Sequence, residues 1–114
     1  MRIQKGMNNL DMVYKNTNFT LKNKVIIELG TGGHGIDLIL FYLLGAMKIY
    51  TVDIKFFGLL NLKQGVLDTE QYLELIISQF HLEKDETYER YNRIKNTTAI
   101  ESILLIMNVE FFTF

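Results

Sequence analysis

The sharpest hydrophobic pattern in the chain begins at Lys24. Val25, Ile26 and Ile27 are consecutive β-branched residues, bounded by Asn23-Lys24 on one side and a glycine run on the other. A short apolar run with turn signals at both ends predicts a buried strand of a parallel sheet. After the glycines, Ile36, Ile39, Leu40, Leu43 and Leu44 repeat at helical spacing. They predict a helix of about two to three turns. Phe41 and Tyr42 make its other side apolar too, so the helix is expected to be buried over most of its surface. Gly45 is placed to stop it. Lys48 to Ile54, KIYTVDI, then predicts a second strand. Strand, helix and strand in about 30 residues make a βαβ unit. Its handedness rule makes the strands parallel and lays the helix across one face.

On either side the pattern is weaker. Residues 1–23 are polar and asparagine-rich and read as a lead-in, either flexible or holding a short helix around Leu10 to Tyr14. Downstream, Asp68 precedes Gln71 by three as a candidate cap, and Leu73, Ile76, Ile77 and Phe80 form a helical stripe. His81 to Lys95 is densely charged and predicts a solvated helix or loop. Thr98 and Glu101 are spaced as a capping box, ahead of a helix with Ile100, Ile103, Leu104 and Met107 on its apolar face. Asn108 to Phe114, NVEFFTF, predicts a third strand. Residues 24–114 therefore read as part of one α/β domain, a partial Rossmann-like parallel sheet of about three strands in the order 3-2-1.

Composition narrows the chemistry. A length of 114 residues suits one compact domain. The net charge of −1 gives no electrostatic reason to expect nucleic acid or an anionic membrane. With no cysteine, disulfides, thiolate metal sites and cysteine nucleophiles are excluded. Neither of the two histidines, His34 and His81, sits at metal-ligand spacing. The longest apolar run, Leu38 to Met47, is about half of the ~20 residues that span a bilayer. A cytoplasmic protein is expected.

The candidate chemistry lies in ELGTGGHGID, Glu28 to Asp37, where the first strand turns into the helix. A loop in this position lies at the carboxyl ends of the strands, where open α/β sheets bind ligands. The helix start offers free N–H groups and a partial positive charge. Glycine lets a ligand approach the backbone closely. Two readings compete. Gly30, Gly32 and Gly35 satisfy G-x-G-x-x-G, and Asp53 follows Gly35 by 18 residues, as in a dinucleotide site for NAD(P) or FAD. Glu28 favours the other reading. A carboxylate two residues before the first glycine gains nothing from a pyrophosphate, but it suits a cofactor with a cationic amino acid portion. Asp37 is placed to cap the helix, and His34 reads as a polar turn residue.

VIIELGTGGHGIDLILFYLLGAMKIYTVDI resembles the first two motifs of the class I S-adenosylmethionine-dependent methyltransferases. It has an acid at the end of strand one, a G-T-G loop, a helix ending in Gly-Ala and an acid at the end of strand two. The resemblance implies that Glu28 shapes the loop and lies near the methionine ammonium. It implies that Gly30, Thr31 and Gly32 line the methionine part; Gly35, from the G-x-G-x-x-G spacing, is a further candidate cofactor-binding residue. Asp53 would take both ribose hydroxyls of S-adenosylmethionine, and Ile54 would touch adenine. The chain departs from the family's loop at Gly33 and Gly35, which flank His34. The likeness covers about 30 residues, and the family's later strands, with the substrate loop, have no counterpart here. The expectation is therefore the cofactor-binding portion of a methyltransferase with an unknown methyl acceptor and no assigned catalytic residue. A non-catalytic fragment or a partner-completed module is the alternative. The apolar third strand makes a homodimer, or completion by another chain, a further expectation.

Overall fold

The computed structural model describes residues 2–17, 20–30, 35–53 and 56–113. Helix α1 (Arg2–Asn16) leads into strand β1 (Val25–Leu29), helix α2 (Ile36–Leu43) and strand β2 (Lys48–Asp53). A 3-10 helix (Phe56–Asn61) opens the second crossover, which continues through α3 (Leu62–Thr69), a 3-10 turn (Glu70–Tyr72), α4 (Leu73–Phe80), α5 (Lys84–Lys95) and α6 (Ile100–Met107) to strand β3 (Val109–Thr113). Both strand pairings are parallel. The sheet order is β1-β2-β3, the expected 3-2-1 read from the other edge.

Alternation along the strands decides what the helices cover. Ile49 and Thr51 of β2 and Val109 of β3 are buried, and Ile26 and Phe111 pack against the same core. Two crossovers running in the same direction across a sheet, both right-handed, place their helices on one face. The core therefore lies between that face and α2, whose Leu38, Ile39 and Leu40 are wholly buried. Helix α2 ends as the apolar pattern and Gly45 predict. The Gly45 N–H donates to the Tyr42 carbonyl at 3.0 Å and the Ala46 N–H to the Phe41 carbonyl at 3.0 Å, the paired bonds of a Schellman ending.

The first helix exceeds the expectation for a lead-in. It spans 15 residues, and Ile3 and Met7 are buried in the core. Gly6 lies against α2 so closely that an added Cβ would come within 2.8 Å of Asp37 Oδ1. Ile3, Met7, Leu10 and Tyr14 share one side at spacings of four, three and four, a stripe hidden among asparagines and lysines. Helix α5 is likewise more than solvated surface, because Thr87, Tyr91 and Ile94 are buried along one stripe. The Tyr91 hydroxyl donates to the Val66 carbonyl at 2.8 Å, and burial pushes its pKa up to about 12.

Three expected caps are corrected. Asp68 lies inside α3 and accepts from Gln64 at 2.8 Å, one turn away, instead of starting a helix. Helix α6 has Ala99 at its N-cap with no side-chain bond, so Thr98 and Glu101 form no capping box. Asp37 sits in the first turn of α2 behind Gly35, which occupies the N-cap. The strong cap belongs to Glu83, whose carboxylate accepts from the backbone N–H groups of Asp85 at 3.2 Å and Glu86 at 2.6 Å.

Candidate functional site

All three strands end on one side of the molecule, and the expected site residues gather there because the sheet is parallel. Glu28 is the fourth residue of β1, and Asp53 ends β2. The register pairs Glu28 with Thr51 and Asp53 with Thr113. The Gly30 N–H donates to the Val52 carbonyl at 2.8 Å and carries the ladder one residue past β1. Thr31, Gly32, His34 and Ile54, also expected at the site or in its loop, lie outside the described residues.

The two described loop glycines are needed for different reasons. Gly30 has φ +87°, a conformation L side chains rarely adopt, while an added Cβ would meet nothing within 4 Å. Its backbone therefore borders open space at the strand ends. Gly35 has φ +63°, and an added Cβ would lie 2.8 Å from Leu62 Cδ1 and 3.2 Å from Leu59 Cδ2. Gly35 thus serves packing as well as the turn, because the missing side chain leaves room for Leu59 and Leu62 of the second crossover.

The electrostatics centre on Glu28. Its side chain points to the helical side of the sheet and is only half-buried. Thr51 Oγ1 donates to Glu28 Oε1 at 3.2 Å. The carboxyl pKa is raised from the ordinary 4.5 to about 8. Loss of water is the largest cause, and the negative charge of Asp37 comes next. The Thr51 bond opposes the rise, whereas a hydrogen bond with Asp37 and the charge of Asp53 add to it. Burial and the neighbouring carboxylates therefore favour the protonated form of Glu28 into the neutral range. Among the described residues, no group of three or more histidine, cysteine, aspartate or glutamate side chains is arranged to hold a metal ion.

Asp37 is the residue whose role the sequence did not disclose. Its position two residues after Gly35 suggested a cap. The fold instead turns the first helical turn over the end of β1, so that its carboxylate faces Glu28. The only usable signal in the sequence was an acid in the first turn of a helix that follows a strand-end acid.

The volumes elsewhere are surface features. An open groove of about 730 Å³ lies between α4 and α5. Its charged groups already satisfy one another: Lys84 pairs with Glu74 at 3.2 Å, Tyr88 donates to Glu74 at 2.8 Å, and Arg93 pairs with Glu89. Among the described residues no helix is long and apolar enough to cross a membrane. No protein-family model matches the chain, and no curated protein or solved structure is significantly similar to it.

Proposed function

We propose that the strand-end site binds the cationic amino acid portion of S-adenosylmethionine, making this chain the cofactor-binding portion of a methyltransferase. One arrangement carries the reading: the half-buried Glu28 carboxyl lies beside Asp37 within reach of the Asp53 charge, which together with burial raises its pKa to about 8. Carboxyl groups brought near one another repel when ionised, and an ammonium relieves that repulsion by favouring the charged form of Glu28. A pyrophosphate placed over the same loop would add negative charge to it. The carboxyl cluster therefore favours the methyltransferase reading over the NAD(P) or FAD reading.

In this proposal Glu28 and Asp37 face the ammonium, and the backbone at Gly30 lets the methionine part lie close. Thr31 and Gly32 extend that contact, Asp53 takes the ribose hydroxyls, and Ile54 lies against adenine. The transfer itself is an in-line displacement at the methyl carbon, which depends on positioning the acceptor. No residue is assigned to that step, and the acceptor is unspecified.

Calorimetric titration with S-adenosylhomocysteine, with NAD in parallel, tests the reading. Saturable binding of S-adenosylhomocysteine alone is expected, lost in Asp53→Ala and weakened in Glu28→Gln. Because Glu28 must give up its proton, affinity should rise from pH 6 to pH 9, with proton release visible as a dependence of the heat on buffer. Binding of NAD in its place would overturn the proposal. A second reading, a non-catalytic module that functions only when covered by another chain, is favoured by the sheet face that no described helix covers. Binding of neither ligand by a folded chain would support it.

A further inference from the structure

We infer that the outer face of the sheet is an interface between two copies of this chain. The side chains pointing away from the helices are Val25, Ile27 and Leu29 of β1, Tyr50 and Val52 of β2, and Phe112 of β3, with Lys48 and Glu110 at the starting end of the strands. No described helix covers them. Val25 is 50% exposed, Ile27 70%, Leu29 80% and Phe112 48%. Parallel sheets occur almost only with both faces covered. These four side chains alone present on the order of 400 Å² of apolar surface, the size at which a patch marks an interaction site.

Three features point to a second copy as the occupant. The first is charge. The two charged groups on the face, Lys48 and Glu110, pair with each other at 3.2 Å, and Lys48 also donates to Asn108 Oδ1 at 3.1 Å. The patch is therefore neutral overall, so no net charge keeps two copies apart. The second is a division within the face. One side is the aliphatic strand β1, and the other carries the rings of Tyr50 and Phe112, with centroids 6.1 Å apart. Leu29, Val52 and Phe112 lie in one row of the register. A two-fold axis along β2 sets Phe112 of each copy over Leu29 of the other, an isologous match of ring against aliphatic side chain. The third is size. With the partly exposed Tyr50 and Val52 and the charged rim added, the footprint stays below the roughly 800 Å² per partner of a standard interface, at the low end that suits a reversible dimer.

This interface is the face of the sheet and not the edge of its third strand, and it does not depend on the cofactor reading. The test is the mass of the full 114-residue chain by sedimentation equilibrium over about 1–200 µM, a range wide enough for mass action to reveal dimerisation. A reversible monomer–dimer equilibrium is expected, with the mass rising toward that of a dimer and no further across the range. Ile27→Lys and Phe112→Lys should each weaken it at least tenfold while keeping the helical circular dichroism and the melting transition, because both side chains leave the core untouched. Leu105→Lys is the control: Leu105 is 81% exposed but lies on α6, away from the sheet face, and this variant should dimerise like the parent. A parent chain that stays monomeric would overturn the inference and leave the face to helices of a different protein. So would open-ended aggregation, or a dimer indifferent to both sheet-face substitutions.

Discussion

Replacing Glu28 by glutamine should change how the stability of this protein depends on pH, and the structure sets both sign and size. In the unfolded chain the Glu28 carboxyl loses its proton near its ordinary 4.5, whereas in the folded protein it keeps it to about 8. Between those values the native state binds the extra proton, so stability falls as pH rises through the interval and levels off above it. Integrated without screening, the interval corresponds to about 5 kcal/mol. Glu28 is only half-buried, and solvent screens its interactions with Asp37 and Asp53, so about 1–2 kcal/mol is the expected remainder. Glutamine keeps the shape and cannot ionise. Urea melts of parent and Glu28→Gln from pH 5 to pH 9 isolate the effect, because every other titrating group is common to both. The parent should lose about 1–2 kcal/mol relative to the variant between pH 5 and pH 8.5. Asp37→Asn, which removes the largest charge acting on Glu28, should recover part of that loss. Parallel curves for parent and Glu28→Gln would refute the raised pKa of Glu28 in the folded protein.

Three further outcomes follow from packing. Met7→Ala should cost about 2–5 kcal/mol in a denaturant melt, as for a buried core methionine, whereas an unattached lead-in would lose nothing. Gly35→Ala should destabilise by about 2–4 kcal/mol, since a positive φ and a Cβ 2.8 Å from Leu62 Cδ1 act together; Gly30→Ala, with open space around it, should cost only about 1–2 kcal/mol. Tyr91→Phe should cost about 1–2 kcal/mol in thermal or urea unfolding, because it leaves the buried Val66 carbonyl without its donor.

The βαβ unit was legible because its signals are local. Three β-branched residues, a helical apolar repeat and a terminating glycine each act within a few residues, and together they define β1, α2 and β2. Two helices were concealed by composition. In α1 and α5 the buried residues number only one per turn, so the surrounding asparagine and charge dominate any local average. The residues from Phe56 to Leu67 drew no element of their own from the sequence and form a 3-10 helix and most of α3, with Leu59, Leu62 and Val66 buried. The misplaced caps have the same origin, since a capping spacing is common and only the chain path shows whether a helix starts there.

What the sequence determined by itself was the alternation of elements, the parallel pairing and the order of three strands, together with Glu28, Gly30, Gly35 and Asp53 as residues of one strand-end loop region. Those follow from periodicity and from the handedness of the chain, which each peptide unit carries. Tertiary structure alone decided that Asp37 faces Glu28, that burial and charge raise the Glu28 pKa, that α1 belongs to the core, and that no described helix covers the outer face of the sheet. Each of these depends on distances between residues far apart in the sequence. Desolvation, charge proximity and burial have no value until the chain has closed those distances.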